Sequence, residues 1–218
     1  MKYKAIIFDF DYTLGDGTDA ITTCFRYGIS TIGLPAPDRE SVRFTIGMTL
    51  ANAFVQLTGK TDAALIERFE TLYKEKADEV LTDGTIVYPY ALTMLEELKQ
   101  MGIDVGIVST KLSFRVRDIL AKYGIDRLPK VIVGGGDVKE KKPSPEGIIK
   151  AIDTIGIAQN EVLYVGDHVI DAEAAMRAGV DFAGVLTGTN TRQDFEKFPY
   201  KYIDENVGTL FLRLKGEA

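Results

Sequence analysis

The sequence predicts an α/β fold: a doubly wound parallel sheet carrying an inserted block of helices. Short apolar runs recur along the chain, separated by amphipathic stretches that often close at a glycine. That is the pattern of strands joined by crossover helices. The alternation stops between residues 17 and 83, where apolar positions recur at helical spacing and no stretch reads as a strand. The strand-like runs also end in Asp, Ser, Thr and Lys, at the edge where open α/β sheets bind their ligands. The expected organisation is a core of residues 1–16 and 84–218, with a helical domain at 17–83.

Ala5-Ile6-Ile7-Phe8 is apolar at every position, as a strand buried on both faces must be. It runs into Asp9-Phe10-Asp11-Tyr12-Thr13-Leu14. Alternate residues at a strand end share a side, so Asp9 and Asp11 can converge. Converging carboxylates repel unless a cation or a shared proton relieves them, and their oxygens suit a hard ion such as Mg²⁺. A solvated acidic turn has the same appearance. Gly15-Asp16-Gly17 then reads as a hinge. Helices are expected at 18–32, 38–46, 50–57 and 62–80, divided by Pro35, Pro37 and Gly59. Phe54 and Tyr73 belong to the core of that bundle.

The α/β pattern resumes near residue 86. A helix at 90–101 closes on Gly102, and a strand at 103–108 ends in Ser109-Thr110-Lys111. The Ser109 and Thr110 hydroxyls suit phosphate oxygens or a helix cap. A helix at 113–123 leads to a strand at 130–133 and the turn Gly134-Gly135-Gly136-Asp137. That turn lacks the spacing and the Lys-Ser/Thr ending of a phosphate-binding loop. Lys142 precedes Pro143, which fixes its backbone; Lys141 reads as solvated. After a helix to residue 155, a strand at 161–165 ends in Gly166-Asp167-His168. Asp171 follows one helical turn later, where it also complements a helix N-terminus. His168, the sole histidine, reads as a loop residue. A helix to 178, strands at 181–185 and 200–203, and a helix at 206–214 complete the chain.

Composition narrows the function. The chain has 218 residues, 45% of them hydrophobic, and a net charge of −6, enough apolar content for a large core. No basic stretch fits a nucleic-acid backbone. No apolar run reaches membrane-spanning length, and none resembles a signal peptide. Cys24 is the single cysteine, which fits the cytosol.

Taken in order, Asp9-x-Asp11-x-Thr13-Leu14, Ser109, Lys142-Pro143 and Gly166-Asp167-x-x-x-Asp171 resemble the motifs of the haloacid dehalogenase superfamily, across nearly the whole chain. The insertion after the first motif resembles the cap of its phosphoglycolate phosphatase-like branch, with Gly47 at that cap's specificity loop. The 184–188 stretch is similar too. Tyr12 stands where glycine is commonest, Thr110 where asparagine often follows, and His168 where a small polar residue is usual.

The resemblance implies a phosphatase acting on a small phosphorylated metabolite through an aspartyl-phosphate. Asp9 would be the nucleophile and Asp11 the general acid and base. Asp9, the Asp11 main-chain carbonyl and Asp167 would hold Mg²⁺, and Ser109 and Lys142 the transferring group. Thr110 and Arg43 would touch substrate, while Thr13 and Asp171 would support the ligands. Asp11 counts against a dehalogenase or a phosphonate hydrolase. A sugar-phosphate mutase like β-phosphoglucomutase, a pyrophosphatase and a phosphoacceptor signalling module are the alternatives. Monomer and dimer both remain open.

Overall fold

The computed structural model describes residues 2–217. The apolar run forms β1 (Ala5–Phe8), buried throughout. β2 (Gly15–Asp16) follows after a tight turn and pairs with β3 (Ile86–Val87) in a two-stranded sheet. The chain up to Gly15 and from Val87 onward forms one compact unit, and Asp16–Ile86 forms the other.

The second unit consists of α1 (Thr18–Thr31), α2 (Arg39–Arg43), α3 (Leu50–Thr58) and α4 (Ala63–Gly84). Side chains of Asp38, Thr49 and Asp62 cap α2, α3 and α4 by accepting from the N–H three residues on, which satisfies donors a helix start leaves open. Phe25, Phe54, Phe69 and Tyr73 interlock with ring centroids 4.9–5.9 Å apart, so Phe54 and Tyr73 are core as expected. α2 is shorter than the sequence suggests. Beyond Arg43 the chain closes three-residue turns, Thr45 and Ile46 donating to Val42 and Arg43 carbonyls. The Thr45 hydroxyl also donates to the Val42 carbonyl. α4 runs on to Gly84, where a side chain would meet Ala20 Cβ at 2.6 Å.

The first unit continues with α5 (Pro89–Gln100), β4 (Asp104–Val108), α6 (Ser113–Ala121), β5 (Val131–Val133) and α7 (Glu146–Ile155). Then come β6 (Val162–Gly166), α8 (Val169–Ala178), β7 (Asp181–Val185), α9 (Arg192–Phe195), β8 (Tyr202–Asp204) and α10 (Val207–Gly216). The four-residue α9 is too short for a periodic signal. It is held by Thr191 and Asp194, which cap each other. α6 ends two residues earlier than expected, in three-residue turns at Tyr123 and Gly124. β8 lies slightly later than expected.

The six strands are parallel, in the order β5-β4-β1-β6-β7-β8. Strand alternation divides the core. Ile6, Phe8, Val105, Ile107, Leu163 and Val165 face one layer with α5, α6 and α10. Ala5, Ile7, Val108, Val162 and Tyr164 face the other, with α7 and α8. The expected doubly wound parallel sheet is therefore present. β1 is central, and the chain moves outward from it on either side. The carboxyl end of β1 is a topological switch point, the usual ligand crevice of such sheets.

Candidate active site

Four loops of the first unit meet at that end of the sheet. β1 delivers Asp9 and Asp11, β4 delivers Ser109 and Lys111, the segment before α7 delivers Lys142, and β6 delivers Asp167. α8 adds Asp171 from its first turn. The turn after Asp9 is tight: Tyr12 N–H donates to the Gly15 carbonyl at 2.7 Å. Tyr12 has φ of 60°, the one positive value outside glycine among the described residues. A glycine would adopt that conformation freely, so the unusual Tyr12 sits where the backbone favours glycine.

Asp9, Asp11, Asp167, Asp171 and Lys142 are all buried. Lys142 Nζ lies 2.9 Å from Asp9 Oδ1 and 2.6 Å from Asp171 Oδ1. Asp171 is fully engaged: Oδ1 also accepts from the Tyr164 hydroxyl at 3.2 Å, and Oδ2 accepts from His168 N–H at 3.1 Å. Asp167 Oδ1 accepts from the Thr13 hydroxyl at 3.1 Å. Ser109 Oγ accepts from Lys111 N–H at 3.2 Å. Lys111 Nζ lies 3.1 Å from Asp11 Oδ2. Thr110 follows Ser109 in the same loop, and its carbonyl lies 2.4 Å from where a Gly135 side chain would begin.

Burial works against every charge here. It raises Asp9, against the pull of Lys142, and raises Asp11, against the pull of Lys111. Burial and the charges of Asp171 and Asp9 push Asp167 well above the carboxylate range. Lys142 moves well above its usual value: desolvation opposes its charge, but Asp171 and Asp9 outweigh it. Lys142 thus lies between two acids that favour its charged form.

The cluster fits a divalent cation. Asp9, Asp167 and Asp171 each offer a carboxylate oxygen, all within 4.8 Å of one another. Asp11 Oδ1 is buried and accepts no hydrogen bond among the described residues, and Asp9 Oδ1 is buried with the Lys142 ammonium beside it. Oxygen-only donors favour a hard ion. The Gly188 backbone packs closely on Asp167: a Cβ there would lie 2.0 Å from Asp167 Oδ2.

Three participants were not legible in the sequence as site residues. Lys111 reads as an ordinary loop lysine. Tyr164 reads as a strand residue, though a buried tyrosine hydroxyl calls for a partner; its single proton is within reach of the Val108 carbonyl and Asp171 Oδ1, each 3.2 Å away. His168 caps α8, its Nδ1 accepting from Ile170 N–H at 3.2 Å, and burial lowers its pKa. Thr187 and Asn190, beyond β7, reach back to the Tyr12 carbonyl and to Val169 N–H. Arg43 lies at the end of α2 in the other unit, 3.3 Å from Glu40.

A central strand ending in two acids, with lysines and further acids converging from neighbouring strands, defines a doubly wound α/β enzyme. A sequence model of haloacid dehalogenase-like hydrolases matches residues 6–185, and the chain belongs to that family. Pyrophosphatase PpaX of Bacillus velezensis is 31% identical over 209 residues, 96% of this chain and 95% of its own. The phosphoglycolate phosphatase of Photorhabdus laumondii is 30% identical over 191 residues, 86% of this chain and 82% of its own. A Bacteroides fragilis protein assigned as a haloacid dehalogenase-like hydrolase superposes with a TM-score of 0.92 at 42% identity. That match covers 95% of this chain and 99% of the other. Among the described residues, no helix is long and apolar enough to cross a membrane.

Proposed function

We propose that this hydrolase is a cytosolic, Mg²⁺-dependent phosphatase that cleaves a small phosphorylated metabolite through an aspartyl-phosphate, in the manner of a phosphoglycolate phosphatase. One observation carries the reading: the two acids of one loop have separate partners. Asp9 lies against Lys142, while Asp11 lies against Lys111. Two carboxylates in different environments can take different roles.

Asp9 attacks phosphorus, forming a carboxyl–phosphorus bond as the ester P–O bond breaks. Asp11 passes a proton to the departing alkoxide; burial pushes its pKa up, against the pull of Lys111. Asp11 then takes a proton from water, whose oxygen attacks the aspartyl-phosphate. Inorganic phosphate leaves and Asp9 is regenerated. Ser109 and Lys142 hold the transferring oxygens, where charge spreads in the transition state. Thr110 contributes a further hydroxyl, and Thr13 and Asp171 fix Asp167 and Lys142. The Asp9 and Asp167 carboxylates and the Asp11 carbonyl would hold Mg²⁺, which supplies charge neutralisation between substrate and enzyme carboxylates. The unit Asp16–Ile86 is proposed as the substrate-selecting cap.

The relative named pyrophosphatase supports a second reading, in which pyrophosphate is the substrate. Specificity constants for 2-phosphoglycolate and pyrophosphate separate the two. Acid-quench trapping tests the chemistry: wild type should yield covalent phosphate, and Asp9→Asn neither phosphoenzyme nor turnover. Persistent turnover by Asp9→Asn would overturn the mechanism.

A further inference from the structure

The site contains a second buried lysine to which the mechanism assigns no task. Lys111 has a side chain only 6% exposed, and its Nζ sits 3.1 Å from Asp11 Oδ2. Its main chain is pinned on both sides: N–H donates to Ser109 Oγ, and the carbonyl accepts from Gly135 N–H at 3.0 Å. The glycine run after β5 makes that approach possible. A side chain at Gly134 would begin 2.7 Å from the Lys111 carbonyl, and one at Gly135 2.4 Å from the Thr110 carbonyl. The run that fails as a phosphate-binding loop therefore serves as a buttress for residues 110–111. At the other end of the pair, one Asp11 oxygen is held and the other has no hydrogen-bond partner among the described residues. A carboxylate tethered by one oxygen presents the other in a fixed direction.

We infer that Lys111 is a positioning residue for Asp11, holding Oδ2 so that Oδ1 faces the leaving-group oxygen. The inference rests on the acid role proposed for Asp11. Lys142 cannot substitute, because its ammonium is committed to Asp9 and Asp171. Removing the Lys111 charge frees Asp11 to rotate and weakens proton delivery without touching the nucleophile. The defect is then specific to leaving groups that need a proton.

The test measures single-turnover phosphoryl transfer from ethyl phosphate, 4-nitrophenyl phosphate and 2-phosphoglycolate. Enzymes are wild type, Lys111→Met, Lys111→Arg, Asp11→Asn and the Lys111→Met/Asp11→Asn double variant. A misplaced group costs about 10²-fold per ångström, so Lys111→Met should slow ethyl phosphate by about 10- to 100-fold. Nitrophenyl phosphate, whose leaving group departs unaided, should change by less than about 3-fold, since acid help contributes little there. Lys111→Arg should recover most of the ethyl phosphate rate. In the Asp11→Asn background, Lys111→Met should add almost nothing, as expected of residues acting as one unit. Thermal unfolding verifies folding, and Lys111→Gln replaces the methionine variant if that one does not fold.

Equal losses on ethyl and nitrophenyl phosphate, or additive losses in the double variant, overturn the inference while leaving the Asp11 role intact. A defect confined to KM for 2-phosphoglycolate makes Lys111 a contact for the substrate carboxylate, and also overturns it. If Asp11→Asn itself shows no leaving-group contrast, the acid role fails and the Lys111 inference falls with it.

Discussion

Gly188→Ala tests the proposed ligand geometry without altering any acid. A Cβ at Gly188 would stand 2.0 Å from Asp167 Oδ2, 2.9 Å from its Cγ and 3.1 Å from its Cβ. Ordinary carbon–oxygen contact begins near about 3.4 Å, so the loop or the carboxylate must yield by more than about 1 Å. Asp167 cannot retreat freely, because its other oxygen is hydrogen-bonded to Thr13. A displacement of that size costs about 10²-fold in rate at a catalytic site. Overpacking should cost about 1–3 kcal/mol of stability, too little to unfold a domain of typical stability. Gly216→Ala is the control, since nothing lies within 4 Å of its Cβ position. The assay titrates Mg²⁺ against initial rate. The expected result is a rate loss of about 10²-fold and a higher Mg²⁺ requirement for Gly188→Ala, with the control unchanged. Wild-type rate and Mg²⁺ dependence in Gly188→Ala would refute the placement of Asp167 among the ligands.

Chelation should abolish turnover and Mg²⁺ restore it. Mg²⁺ at 100 times its dissociation constant should also raise the melting temperature by about 5–10 °C, from about 2.7 kcal/mol of linkage, and Asp167→Asn should remove most of that shift. Asp181 is pushed up by burial but pulled further down by hydrogen bonds from Lys2 and Tyr3. Its stabilisation is therefore full at neutral pH and fades as pH falls below the usual carboxylate range. Asp181→Asn should lower the melting temperature by about 1–3 °C at pH 7, and a difference that fails to shrink at acid pH contradicts this. Arg43→Ala should raise KM for 2-phosphoglycolate about 10-fold, the loss of about 1.4 kcal/mol, with kcat kept. Unchanged constants would remove Arg43 from the substrate site.

The sheet and the acids were legible for the same reason. A buried parallel strand is apolar on both faces, so a polar residue at its end stands out. Asp9, Ser109 and Asp167 each follow such a run. Lys142 was distinguished from Lys141 by its place before Pro143. Lys111 had no comparable marker, because the Gly134 and Gly135 backbone that braces its main chain comes from the loop after a different strand. Asp171 accepts from His168 N–H at the start of α8 and pairs with Lys142 at 2.6 Å, a partner that its spacing from Asp167 does not reveal. The end of α2 was misplaced because Thr45 turns its hydroxyl back onto the Val42 carbonyl, a local competition that periodicity does not register.

Charge balance links the fold to the chemistry. Asp9, Asp11, Asp167 and Asp171 bring four carboxylates, against the two ammoniums of Lys111 and Lys142. With every group ionised, two negative charges remain uncompensated in a region where burial already resists charge. Protons can fill that deficit, which is the direction in which Asp9, Asp11 and Asp167 all move. In the proposed mechanism a divalent cation would fill it without protonating Asp9, and so would leave that carboxylate able to attack. The lysines cannot replace the cation, because each is already held by an acid of its own.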